Sequence, residues 1–259
     1  MGMGRNVHAD GDAVVLELVN CLRINHTLTS LALEKNNIGV AAATLLAECL
    51  RENSTLTNLE LYENDIGDAG AMALADSLLV NTTLTHLELG RNGIGAEGAS
   101  RLAECLRINT TLRSLMLSHN QIGDAGVTQL AECLKVNTTL SSLRLTPHSI
   151  DCGIGTKGVK QLVECLRSNT ALTSLDLDNG SINCEGATHL AGCLCFNATL
   201  KRLMLSSNEI GDVGATQLVE CLRINTTLTF LSIGGAKKIS DTAKQALAAA
   251  CPPRCTLCL

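Results

Sequence analysis

The chain has 259 residues and a mass of 27.2 kDa, and 46% of it is hydrophobic, so it holds enough apolar material for a continuous core and is not a disordered segment. A formal charge of -5 and a pI near 5.7 speak against a phosphate-binding surface, because nucleic-acid readers carry a basic field. No apolar run approaches the ~20 residues that span a bilayer, and the first dozen residues lack the hydrophobic segment of a secretory signal.

Taken in order, the N-terminus offers Gly2 but places Asn6 where a myristoylation motif wants Ser or Thr. From Asp12 to Ile24 the chain reads as a helix, with Asp12 as its cap and Val15, Leu18 and Leu22 at helical spacing. This segment, 12–27, is expected to close the open end of a stack. A single frame then opens at Leu28, Leu56, Leu84, Leu112, Leu140, Leu172, Leu200 and Leu228, with every step 28 residues except one of 32. In the copy at 84–111, Leu84, Leu87, Leu89, Asn92 and Ile94 set out L-x-x-L-x-L-x-x-N-x-I, and a helical run ending AECLRIN follows. That period and pattern mark a leucine-rich repeat solenoid.

Each copy predicts a short strand such as Leu59-Glu60-Leu61, with Leu59 and Leu61 inward and Asn58, Glu60 and Tyr62 outward. Asn36, Asn64, Asn92, Asn120 and Asn208 fall where the chain leaves the strand, and their amides suit buried backbone groups there. Asp68, Asp124 and Asp212 suit helix N-termini. Along the helix, Ala99, Leu102, Ala103 and Leu106 form an apolar stripe, with Glu104 and Arg107 expected to pair on its polar side. Parallel strands sit about 4.8 Å apart and packed helices roughly 8–10 Å apart. The stack must therefore bend, with eight parallel strands concave and about nine helices convex.

Of thirteen cysteines, Cys21, Cys49, Cys105, Cys133, Cys165, Cys193 and Cys221 fill one helix position, with Ser77 in the remaining copy. Equivalent positions are too far apart for disulfides, so these read as small buried hydrophobes in a reducing compartment. The N-x-T tripeptides at Asn25, Asn53, Asn81, Asn109, Asn137, Asn197 and Asn225 are read as left-handed helix ends, not glycosylation sites. Repeat five carries four extra residues in LRLTPHSIDCGIGTKG, with His148 or Cys152 at the asparagine rung, and Gly180 takes that rung in repeat six. Pro147 and the two missing rungs point to a protruding loop over 146–155, a place for binding contacts. Repeat eight (228–250), with Ala236 at the rung, reads as a C-terminal cap, and the tail 251–259 as frayed.

No catalytic constellation stands out: the six histidines are scattered, and the recurring G-x-x-G is turn chemistry without a G-K-S/T. Cys251, Cys255 and Cys258, three thiols without a fourth ligand, are weak grounds for zinc, and the proximity of Cys152 and Cys184 is no stronger a case for metal or redox chemistry. Neither a cofactor nor a metal is expected. The outward strand positions are more informative. Glu60 and Glu88 share a row on neighbouring strands, with Glu34 and Glu63 close by, a patch suited to a basic partner. Arg144 and Asp176 share a row and are expected to pair; Met116, Asp178, Arg202 and Met204 complete the wall. The chain has only three aromatics, Tyr62, Phe196 and Phe230, and two of them, Tyr62 and Phe230, face this wall, where aromatic side chains often anchor interfaces. Moderate, charge-assisted binding is expected.

The unit L-x-x-L-x-L-x-x-N-x-I-G-x-x-G-x-x-x-L-A-E-C-L-x-x-N-T-T resembles the ribonuclease-inhibitor subfamily of leucine-rich repeats, which includes the repeat regions of NOD-like receptors and the Ran GTPase-activating proteins. The resemblance covers Asp12 to Ala250. It implies an α/β fold, a right-handed β/α solenoid shaped as an open horseshoe arc, that binds proteins in the cytosol. No nucleotide-binding domain or long acidic tail accompanies the repeats, and the aromatic-rich surface of the closed inhibitor horseshoe is missing. The expected whole is one non-enzymatic, cytoplasmic, monomeric domain over 1–259, with seven repeats at 28–227. It contacts a protein partner, not nucleic acid or membrane, through the concave strands. The alternative is a regulator of a small GTPase, for which Arg91 is the candidate residue.

Overall fold

The computed structural model describes residues 11–148 and 154–259; for 11–14 it describes the backbone alone. Asp12 as a side-chain cap and the expected approach of Cys152 to Cys184 therefore lie outside the described residues, as does the centre of the repeat-five insertion. Helices and strands alternate strictly: α1 (Gly11–Ile24), β1 (Ser30–Ala32), α2 (Val40–Glu52), β2 (Asn58–Glu60), α3 (Gly67–Leu78), β3 (His86–Glu88), α4 (Ala96–Leu106), β4 (Ser114–Met116) and α5 (Gly123–Leu134). Then follow β5 (Ser142–Arg144), α6 (Thr156–Leu166), β6 (Ser174–Asp176), α7 (Cys184–Leu194), β7 (Arg202–Met204), α8 (Gly211–Ile224), β8 (Phe230–Ser232), α9 (Asp241–Ala250) and β9 (Thr256–Cys258). The strands form one parallel sheet in sequence order, an open α/β leucine-rich repeat arc. No helix among the described residues is long and apolar enough to cross a membrane.

The register follows from the leucines. Leu31, Leu59, Leu87, Leu115 and Leu143 lie opposite one another on successive strands, and the file continues through Leu175, Leu203, Leu231 and Leu257. All but the two end members are buried, and each buried leucine contributes roughly 1.5–3 kcal/mol. The tail corrects the sequence reading. Instead of fraying, Thr256–Cys258 pairs with β8 and makes a ninth strand.

Two files of asparagine hold the edges. At the strand-to-helix edge, Asn64 Nδ2 donates to the Leu33 and Leu61 carbonyls while its Oδ1 accepts from the Asn36 and Ile38 amides. Asn120 and Asn208 occupy equivalent places. At the helix-to-strand edge, the N-x-T asparagines are not in the left-handed conformation expected of them. Asn53 and Asn225 are extended, at φ -72° and -64°. Their side chains point in: Asn109 Nδ2 donates to Leu78 O at 2.8 Å, an orphan carbonyl of the preceding helix, and Oδ1 accepts from the Thr111 and Leu112 amides. Asn169, which has no threonine two residues on, makes the same bonds, so the fold uses the asparagine without the rest of the tripeptide. Arg254 ends this file by donating to the Asn225 carbonyl, where the next asparagine would stand.

The helix caps hold a second correction. Asp68 Oδ1 accepts from Gly95 N at 2.7 Å and Gly98 N at 2.9 Å, so it caps α4, the helix of the following repeat, and leaves α3 without a side-chain cap. Asp124 reaches Gly158 N and Asp212 reaches Ser240 N in the same way. Two repeat types result. In one, the glycine before the acid has positive φ (Gly67, Gly123, Gly211); in the other, the helix starts from an extended residue (Gly39, Gly95, Gly155, Asn183). The types alternate except where repeats five and six, both of the second type, meet. There Asn183 caps its own helix by accepting from Gly186 N.

On the convex side Glu104 pairs with Arg101 at 2.8 Å and not with Arg107, because Arg101 is already drawn to the same spot by Asp76 at 2.6 Å. The equivalent pairs Glu164–Arg167 and Glu220–Arg223 do form. The cysteine file faces the preceding helix, where Cys193 Sγ donates to Val163 O. Cys21, in the first described helix, is exposed, against expectation. Burial pushes the Cys133 and Cys165 thiols up to about 12 and Cys105 and Cys193 to about 11. Brief iodoacetamide treatment of the native protein should therefore alkylate Cys21, Cys184 and Cys258 and spare Cys49, Cys105, Cys133, Cys165, Cys193 and Cys221, as peptide mass mapping would show. Rapid loss of the second set would mean the helices do not pack as described.

Candidate functional site

The concave wall consists of the outward residues of three-residue strands, so its chemistry is set by what each repeat places at two or three positions. One row runs Ala32, Glu60, Glu88, Met116, Arg144, Asp176, Met204, Ser232. Its acidic members adjoin. Glu34, Glu60, Tyr62, Glu88 and Met116 line one groove of about 490 Å³ with His86 and Ser114. The Glu60 carboxyl lies within hydrogen-bonding reach of Glu34, which holds it protonated to a higher pH than usual. Glu88 Oε1 accepts from Gly90 N at 2.6 Å, yet burial, with Glu60 and Glu34 nearby, still raises its pKa.

The middle of the wall is self-compensated. Arg144 Nε lies 2.9 Å from Asp176 Oδ2, the expected pair, and Asp176 Oδ1 also accepts from Asp178 N and Thr146 Oγ1. Asp178 accepts from Ser206 N at 2.6 Å, and burial next to Asp176 raises its pKa. Farther along, the Arg202 guanidinium lies 4.2 Å from the Phe230 ring centre, with Met204 in the adjoining row. Met204 and the Arg202–Phe230 pair stand apart from the acidic groove.

Two of the sequence-selected residues are not on the wall proper. Glu63 and Arg91 take positive φ at the strand-to-helix edge and line a separate groove of about 330 Å³ with Asn37, His119, Gln121 and His148. Arg91 Nη1 lies 4.0 Å from Glu63 and its guanidinium 6.0 Å from the Tyr62 ring centre; Lys35 approaches Glu63 at 3.9 Å. Arg91 is thus turned onto the preceding repeat, against Glu63 and Tyr62. Sequence reasoning missed His119 and Gln121 here. Burial and Arg91 lower the His119 pKa, and the signal available was that His119 and Arg91 hold equivalent repeat positions.

The raised Glu88 pKa has a definite sign. Its folded value lies above its unfolded one, so the folded state binds protons more tightly, and this group's contribution to stability rises as pH falls from neutral into the ordinary glutamate range. Glu88→Gln keeps an acceptor for Gly90 N and removes the repulsion, and should stabilise the fold by roughly 0.2–1 kcal/mol at pH 7. In denaturant melts at pH 7 and pH 4.5 that gain should shrink at the lower pH. A gain that grows on acidification would contradict the arrangement.

The family model described as "Leucine Rich repeat" matches residues 25–47, 52–75, 80–103, 109–131 and 196–219, passing over the repeats around the insertion. Among solved structures, the chain is similar to a Bacteroides fragilis protein, at 14% identity, TM-score 0.62 and coverage of 93% of this chain and 68% of that one. It is also similar to the C-terminal domain of a Caenorhabditis elegans tropomodulin (13%, TM-score 0.46, 71% and 92%) and to a structure titled leiomodin-1 actin-binding site 2 (24%, TM-score 0.48, 53% and 78%). No curated protein sequence matches the chain.

Proposed function

We propose that this leucine-rich repeat chain is a non-catalytic protein-binding module whose concave wall takes a basic segment of a protein partner, with the repeat-five insertion as a further contact. The observation that carries this is the groove over β1–β4, where Glu34, Glu60 and Glu88 stand together beside Tyr62 and Met116. Like charges on neighbouring strands destabilise the sheet, and two of these carboxyls hold their protons more tightly than usual for that reason among others. A lysine or arginine entering the groove would relieve that cost, while Tyr62 and Met116 offer apolar surface to its stem. The self-paired Arg144–Asp176 centre would mark the far limit of this contact. Cysteines that remain free thiols, most of them in the core, suit a reducing cytoplasmic setting.

Affinity capture at low and at high salt, comparing wild type with Glu60→Lys/Glu88→Lys, tests this reading. The partner should be held at low salt, released at high salt, and bound about tenfold to hundredfold more weakly by the variant. An unchanged set of bound proteins would sink the concave-wall proposal.

A further inference from the structure

The helix-to-strand edge, one flank of the arc, carries a regular feature that binding on the wall does not use. Just before each asparagine of this edge file, Asn169 included, stands a residue turned outward to solvent. In six of eight repeats it is a large apolar side chain: Ile24, Val80, Ile108, Val136, Phe196 and Ile224, with exposures of 78, 50, 66, 56, 89 and 61%. The fold does not require this, since Glu52 and Ser168 serve at the same place. Single exposed hydrophobes are ordinary, but a file repeated at packed-helix spacing is a stripe, uninterrupted from Val80 through Ile108 to Val136.

We infer that this stripe is the contact face of a homodimer, with a second copy of the chain laid edge to edge across a two-fold axis. Size supports the occupant. Six side chains of this kind present on the order of 100 Å² each, so two apposed stripes would bury about 1,200 Å², above the ~1,000 Å² expected of a specific interface. A two-fold axis needs only a self-complementary patch, and one stripe laid antiparallel on another supplies it. Charge supports it too. Most of the basic residues flanking the stripe are already paired, Lys135 with Glu132 at 2.6 Å, Arg167 with Glu164 at 3.8 Å, Arg223 with Glu220 at 3.0 Å and Arg23 with Glu48 at 3.9 Å; Arg51 and Arg107 are the exceptions. That leaves two arginines as surplus, a small charge beside six exposed apolar side chains whether the facing surface is an anionic membrane or an identical edge. The face departs from the monomer expected of the sequence, and it leaves the concave wall open.

Sedimentation velocity of the full chain from ~1 to ~100 µM, a range that brackets weak to moderate association, provides the test. Wild type should move with concentration from 27.2 kDa towards twice that mass. Ile108→Asp/Val136→Asp, at exposed positions, should stay monomeric throughout, at least tenfold weaker in association, with an unchanged circular dichroism melt. Phe196→Ser should weaken association independently. A wild-type mass of 27.2 kDa at the highest concentration would overturn the proposal, as would a dimer that both variants retain. Monomeric wild type that co-sediments with phosphatidylserine vesicles, lost in Ile108→Asp/Val136→Asp, would overturn it in favour of a lipid surface. Glu60→Lys/Glu88→Lys should dimerise normally, so failure of the wall and failure of the edge are separable.

Discussion

Asn120→Ala should lower stability by about 3–5 kcal/mol, the larger loss of a matched pair in which Asn92→Ala loses only about 1–2 kcal/mol. Asn120 and Asn92 are equivalent residues in neighbouring repeats, and both are buried. Asn120 donates to Leu89 O and Leu117 O and accepts from Asn92 N and Ile94 N, all at 2.8–3.0 Å. Alanine there strands two buried amides and two carbonyls at about 1 kcal/mol or more apiece. Asn92 donates to Leu61 O and Gly90 O, but its buried Oδ1 has no hydrogen-bond partner, and the two carbonyls keep Asn64 Nδ2 and Glu63 N as donors, so truncation strands no backbone group. Urea unfolding midpoints would rank the two. Hydrogen exchange would localise the effect, since the Asn92 and Ile94 amides should lose protection in Asn120→Ala. Equal losses, or protection that survives, would show that the oxygen-side bonds do not hold the edge.

Glycine-to-alanine changes should act in opposite directions at two helical positions. A Cβ on Gly126 of α5 would stand 2.4 Å from Ile122 Cγ2 and 3.0 Å from Ala99 Cβ on the neighbouring helix. Overpacking of this kind costs about 1–3 kcal/mol against a helix-propensity gain of at most ~1 kcal/mol, for a net loss of roughly 1–2 kcal/mol. Gly192 of α7 is exposed, and a Cβ there meets nothing within 4 Å, so alanine should add about 0.5–1 kcal/mol. Thermal midpoints should therefore drop by about 3–6 °C for Gly126→Ala and rise by about 2 °C for Gly192→Ala. A midpoint raised by Gly126→Ala would mean the helices stand farther apart than described.

The spine of the molecule was legible because leucine spacing reports strand register directly. Leu87 and Leu89 can be buried in only one way, and the buried face fixes which residues form the wall. The Arg144–Asp176 pair followed from counting alone. What escaped the sequence depends on reach across repeats. Asp68 looks like a cap for the helix it begins, and nothing local says its carboxylate extends to Gly95. The hint was there in the alternation of Asp68 and Asp124 with Val40 and Ala96 at one position. Burial of the N-x-T asparagines was hidden in the same way, since the carbonyls they satisfy belong to the preceding repeat. The strand at Thr256–Cys258 was obscured by two prolines ahead of it. Glu63 and Arg91 lie just past their strands, where alternation no longer tells which way a side chain faces and positive φ turns the chain aside.

Capping across the boundary has a consequence for ancestry. An acid in one copy serves the helix of the next, so the heritable module over most of the chain is a tandem couple of 28-residue copies, and recombination that excised one member would orphan either a carboxylate or a helix start. Asn183 marks the one junction where like meets like, and it carries its own remedy. Lengthening this scaffold by grafting should accordingly succeed in couples, or singly only when the graft brings an asparagine of that kind at its threshold.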